Sequence, residues 1–190
     1  MRIFAAVVPP EDALEDLADF LDPRRDTDRE LRWTDPSLWH ITLAFMADVP
    51  EGRLDEVALA VAEAAAHREP FASRLHSGGA FPHAADARVL WIGVDGDDEA
   101  RGSLAALARN VRSSCAHVGA TPEGGGFQPH LTVARARHSF EATRWLRVLD
   151  AYSGPRWNAD EVTLFASHAP SGGRPRQYRP VATMPLGGEE

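Results

Sequence analysis

Apolar positions recur along this chain in two rhythms, about every 3.6 residues and every second residue, and their order predicts mixed helices and strands. An unbroken apolar run over 3–8 reads as a buried strand. Leu14, Leu17, Ala18 and Leu21 then fall at helical spacing over 11–21, and Asp22-Pro23 predicts the helix end. A polar stretch over 24–38 reads as a loop leading into a strand over 39–46. Leu54, Val57, Ala58, Val61 and Ala65 share one face of a helix over 51–67. Strands follow over 70–81 and 87–95, split by Pro82-His83-Ala84-Ala85-Asp86. Leu104, Leu107, Ala108, Val111, Cys115 and Val118 predict a helix over 98–118. A Gly124-Gly125-Gly126 loop precedes a strand over 130–136, a helix covers 139–151, and strands over 160–167 and 177–184 complete the order.

Two of these strands carry one pattern, His40-Ile41-Thr42 and His130-Leu131-Thr132. Side chains alternate faces along a strand, so a strand that buries Ile41 or Leu131 presents His and Thr together on its other face. With 8 His among 190 residues, chance gives roughly 0.3 His-x-Thr matches in such a chain, and an aliphatic residue after both His and Thr makes the pair rarer still. The motifs start 90 residues apart, close to half the length, and each is flanked by helices. That spacing predicts an α+β fold built from a duplicated unit. It would be one domain over 1–190 with two pseudo-symmetric lobes, antiparallel sheets flanked by helices, and an active-site cleft between the lobes.

Composition narrows the partners. The chain is 44% apolar and 25% charged, as ordinary globular proteins are. A net charge of −8 argues against a general nucleic-acid coat but not against a pocket that grips one phosphate. All 20 cationic residues are arginine, which excludes lysine nucleophiles and Schiff-base chemistry. One cysteine, Cys115, allows no intrachain disulfide and fits a reducing cytoplasm, with the thiol as a small core residue. No apolar run reaches the eighteen or so residues of a membrane helix, and the first apolar run is too short for a secretory signal. A cytoplasmic monomer without membrane partners is the expectation.

Two imidazoles with near-neutral pKa can serve one displacement as base and acid, and two hydroxyls beside them can hold phosphoryl oxygens. Phosphoryl transfer needs attacking and leaving oxygens roughly in line, which opposed histidines suit. A strained 2′,3′-cyclic phosphate fits this arrangement, with one imidazole activating water while the other protonates the departing ribose oxygen. Symmetry leaves open which histidine takes which role.

The two motifs make the chain resemble the 2H phosphoesterase superfamily. More closely, it resembles the LigT/ThpR-like RNA 2′,3′-cyclic phosphodiesterases, once described as 2′-5′ RNA ligases. Arg32-Trp33 with Pro36, Phe81-Pro82, Arg88-Val89-Leu90-Trp91-Ile92-Gly93-Val94 and Phe127-Gln128-Pro129-His130-Leu131-Thr132-Val133-Ala134-Arg135 carry the likeness. So do Val162-Thr163-Leu164-Phe165, a Gly172-Gly173 turn, Tyr178 and Pro180. The resemblance implies a LigT-like fold and metal-independent hydrolysis of RNA 2′,3′-cyclic phosphate ends to 2′-phosphate ends, with weak reverse 2′-5′ ligation and no cofactor. It implies His40 as proton donor, His130 as proton acceptor, and Thr42, Thr132 and Arg135 as substrate-binding residues. Ala44, where the family often has lysine, and Met46-Ala47, where it has Leu-Gly, are departures that reduce positive charge near the first motif.

Other readings compete. A small-nucleotide cyclic phosphodiesterase would use the same chemistry, and a non-catalytic nucleotide-binding module would keep the pocket without turnover. Zinc hydrolysis would need a third protein ligand, and no His-x-x-x-His or His-Glu-x-x-His spacing supplies one. Trp33, Trp91, Phe127 and Tyr178 are candidates for stacking on bases, with core packing the simpler role for each. The glycine run lacks the lysine and following helix of a phosphate loop.

Overall fold

The two motif strands meet at the centre of one antiparallel sheet. The computed structural model describes residues 1–28, 30–95, 98–168 and 177–187, and the Gly172-Gly173 turn lies outside them. Among the described residues, nine strands form that sheet: β1 (Arg2–Val7), β2 (Leu31–Trp33), β3 (Ile41–Met46), β4 (Phe71–Phe81), β5 (Ala87–Asp95), β6 (His130–Phe140), β7 (Ser153–Ala159), β8 (Glu161–His168) and β9 (Gln177–Pro185). Their spatial order is β7-β4-β5-β6-β3-β1-β8-β9, with β2 on the side of β6. The antiparallel sheets expected on either side of a cleft are thus two wings of one sheet. They are joined where Ile41 of β3 stands opposite Leu131 of β6.

Among the described residues, four α-helices cover the core: α1 (Glu11–Arg25), α2 (Leu54–Ala66), α3 (Asp98–His117) and α4 (Thr143–Asp150). Helices α1 and α4 pack on the β4/β7 wing, α2 packs on β8 and β9, and α3 runs from β3 to β4 and β5. The wings are not the two halves of the chain. Strands β8 and β9, last in sequence, extend the wing that β1 begins. Ile3, Leu17, Ile41, Leu90, Leu107, Leu131 and Val162 are all fully buried in one shared core. Burying each such side chain contributes about 1.5–3 kcal/mol, so both wings are stabilised by one apolar interior.

Several boundaries differ from the sequence expectation, each for a physical reason. Helix α1 runs through Pro23 to Arg25. The proline stands in the last turn, where its fixed φ suits a helix and the cost is confined to its own missing N–H bond to the Asp19 carbonyl. Arg24 also donates back to the Phe20 carbonyl and lies 4.4 Å from the Phe20 ring centroid. Strand β2, inside the expected loop, is three residues long and gets its hydrogen bonds from β6, so no periodicity of its own announces it. Strand β7 contains Gly154 and Pro155, which break the pattern; proline is tolerated because β7 is an edge strand. Strand β6 continues to Phe140, which delays α4 to Thr143.

Candidate active site

Both motif strands break their alternation at the same place. Opposite β1, Ala6 pairs with Thr42 and Ala5 with Ala44, leaving Leu43 as an extra residue. Opposite β5, Trp91 pairs with Thr132 and Leu90 with Ala134, leaving Val133 extra. Each is a β-bulge one residue after the motif threonine, which re-aims the side chains beyond it. Leu43 and Ala44 are therefore both buried, as are Val133 and Ala134. The slip turns Phe45 on β3 and Arg135 on β6 toward the face that already carries the histidines and threonines. Strict alternation would have sent Arg135 into the core.

The central register sets how the motifs face each other. With Ile41 opposite Leu131, extending the antiparallel pairing by one residue places His40 beside Thr132 and His130 beside Thr42. Each imidazole thus neighbours the other motif's hydroxyl. His40, His130, Thr42, Thr132 and Arg135 all line one pocket of about 1000 Å³.

The imidazoles are held alike. Nδ1 of His40 lies 2.7 Å from the Leu38 carbonyl oxygen, and Nδ1 of His130 lies 2.7 Å from that of Gln128. A carbonyl only accepts, so Nδ1 carries the proton in both rings, and Nε2 is left as the nitrogen that can take or give one. Aromatic rings back each imidazole. Phe4 lies 4.6 Å and Tyr178 5.3 Å from His40 between centroids, while Phe81 lies 4.9 Å and Trp91 6.1 Å from His130. Gly79 makes room for this backing, since a Cβ there would stand 2.1 Å from the Trp91 ring.

Burial disfavours the charged form of both rings. It brings His40 down to about 4, against the hydrogen bond to Leu38; the positive charges of His130 and Arg135 add to the lowering. The His130 pKa is lowered by the same burial and by Arg135, against the bond to Gln128. Burial thus biases both imidazoles toward the neutral form.

Charge around the pocket opposes that of the whole chain. Arg2, Arg32, Arg135 and Arg137 line it, with Asp35 the one acidic residue among its described lining. The Asp35 carboxylate accepts from both the hydroxyl and the backbone N–H of Ser37, which lowers its pKa. Sequence periodicity missed Arg2, Phe4, Phe45 and Arg137. Arg2 and Phe4 alternate along β1 beside the first motif; Phe45 and Arg137 reach the pocket face only through the bulges. Of the four aromatic candidates, Trp33 and Tyr178 line the pocket, Trp91 stands behind His130, and Phe127 packs against the core. Among the described residues, no group of three or more His, Cys, Asp and Glu side chains is placed to hold a metal ion. No described helix is long and apolar enough to cross a membrane.

Known proteins are similar to this chain in fold and in sequence. A family model described as the 2′-5′ RNA ligase superfamily matches residues 9–170. The RNA 2′,3′-cyclic phosphodiesterase of Aquifex aeolicus (strain VF5) is 32% identical over 136 residues, covering 71% of this chain and 70% of that protein. The protein of the same name from Methanothermobacter thermautotrophicus is 29% identical over 137 residues, 72% of each chain. The crystal structure of E. coli LigT in apo form superposes with a TM-score of 0.76 at 24% identity, covering 97% of this chain and 96% of that one. The α+β, LigT-like fold expected from the sequence is the fold found.

Proposed function

Since the chain belongs to the 2′-5′ RNA ligase superfamily, we propose that it is an RNA 2′,3′-cyclic phosphodiesterase, hydrolysing cyclic phosphate ends to 2′-phosphate ends. The observation that carries this reading is the matched pair of imidazoles in one pocket, each with Nδ1 tied to the carbonyl two residues before it. His130 Nε2 takes a proton from water as the water oxygen bonds to phosphorus. The P–O3′ bond breaks, and the His40 imidazolium protonates the departing 3′ oxygen. Thr42 and Thr132 donate to the phosphoryl oxygens, and Arg135 meets their negative charge. Donor and acceptor are assigned from the family resemblance, because the backbone geometry serves either direction.

These transfers need no metal and no cofactor. A 5′-hydroxyl in place of water would form a 2′-5′ linkage by the same steps, which is the weak reverse ligation assigned to this site. The two wings act as pseudo-symmetric lobes of a single domain, and the enzyme works as a cytoplasmic monomer on RNA ends. The test is incubation of EDTA-treated protein with a short RNA bearing a 2′,3′-cyclic phosphate, reading the position of the terminal phosphate. Conversion to a 2′-phosphate is expected. Activity restored only by added zinc overturns the metal-free mechanism, binding without turnover indicates a binding module, and neither indicates a small-nucleotide substrate.

A further inference from the structure

Strand β2 occupies the side of β6 that β3 leaves as the two motif strands diverge, and its register puts Arg32 directly opposite Arg135. Opposed residues on neighbouring antiparallel strands share a face, and like charges in that position repel. Among the described residues, neither arginine forms an ion pair or hydrogen bond with a carboxylate. Arg137, two residues along β6 from Arg135, is on the same face and lines the same pocket. The strand that holds Arg32 is firmly fixed. Leu31 is buried, the Trp33 indole N–H donates to the Arg25 carbonyl at 3.0 Å, and Thr34 N–H donates to the Val133 carbonyl at 2.9 Å. Among the described residues, the fold thus brings three guanidiniums, Arg32, Arg135 and Arg137, to one pocket with no carboxylate paired to Arg32 or Arg135, in a chain of net charge −8.

Arg135 is proposed above to meet the reacting phosphate, and Arg32 and Arg137 line the same pocket beside it. We infer that Arg32, with Arg137, forms a second phosphate subsite for the phosphate on the 5′ side of the terminal nucleoside. This rests on the cyclic-phosphodiesterase reading and sharpens it: the favoured substrate is an oligonucleotide end, or a nucleoside cyclic phosphate that also carries a 5′-phosphate. A guanidinium donates two N–H bonds to one phosphate, and such charge-assisted bonds hold a flexible chain in register.

Three probes separate the possibilities: uridine 2′,3′-cyclic phosphate, its 5′-phosphorylated form, and the dinucleotide UpU with a 2′,3′-cyclic end. The added phosphate should raise kcat/KM roughly ten-fold or more over the bare nucleoside, the worth of a hydrogen-bonded charge, mainly through KM. In Arg32→Gln this advantage should collapse toward one, and Arg32→Lys should recover part of it. The salt dependence of kcat/KM for the phosphorylated probes should also become shallower in Arg32→Gln. A structural role alone would lower all three probes together and leave their ratios unchanged. Equal kcat/KM for bare and 5′-phosphorylated probes in the native protein overturns the subsite while leaving the proposed activity standing. No turnover of any probe overturns the activity itself.

Discussion

On the β3 side of the pocket, His40 sits among Phe4, Phe165 and Tyr178, and the position turned inward by the bulge is Phe45. On the β6 side, His130 meets Phe81 and Trp91, and the corresponding position is Arg135, with Arg32 across from it. The backbone repeats almost residue for residue: a motif, a Nδ1 bond to the carbonyl two residues earlier, and a bulge after the threonine. What differs is charge. The repeated backbone aims two exchangeable nitrogens at one space, and the unlike residues around them give that space a direction. The arginine side is the one proposed to meet phosphate, while burial on the aromatic side lowers the His40 pKa to about 4.

The histidines are where this comparison breaks first. His40→Ala and His130→Ala should each lower kcat by roughly 10² to 10⁴, the worth of a proton-transfer group. Comparable losses on both sides support a shared acid–base task, while a near-silent variant on either side removes that histidine from the mechanism. Arg135→Phe makes the two sides alike. It should raise KM for a cyclic phosphate about ten-fold or more through loss of a charge-assisted contact. It should also raise the pKa of both histidines, since Arg135 lowers each. Thr42→Ala and Thr132→Ala should cost less, roughly five-fold each, as a neutral hydrogen bond contributes about 1 kcal/mol. Steady-state kinetics on a cyclic phosphate substrate orders all five variants. A threonine variant that equals a histidine variant in kcat would contradict the division of roles.

Much of this arrangement is written plainly in the sequence. Long periodic segments such as Leu104 to Val118 specify their helix alone, and the aliphatic residues of both motifs specify buried strands. The pocket face follows from the same alternation for His40, Thr42, His130 and Thr132. The rest depends on contacts that sequence periodicity does not encode. Strand β2 exists because β6 offers it an edge, and β7 survives Gly154 and Pro155 because its own outer edge is free. Phe45 and Arg137 reach the pocket through bulges defined by partner strands β1 and β5, not by residues 43 and 133 themselves. The interleaving of the wings, with β8 and β9 completing the side that β1 begins, comes from long-range pairing alone.

Proton exchange between two coupled histidines is the central claim, and the pH dependence of kcat/KM for a 2′,3′-cyclic phosphate tests it most directly. This quantity reports the free enzyme, whose productive form carries one proton on the pair. Burial lowers both pKa values, so the pair is doubly protonated only near pH 4 and below, and loses its last proton below the ordinary histidine range near 6.5. The account predicts a bell whose acid limb lies near pH 4 and whose alkaline limb falls below about 6.5. The kcat profile should lie at higher pH, because bound phosphate charge favours the imidazolium. A kcat/KM profile flat from pH 5 to 9 would contradict it.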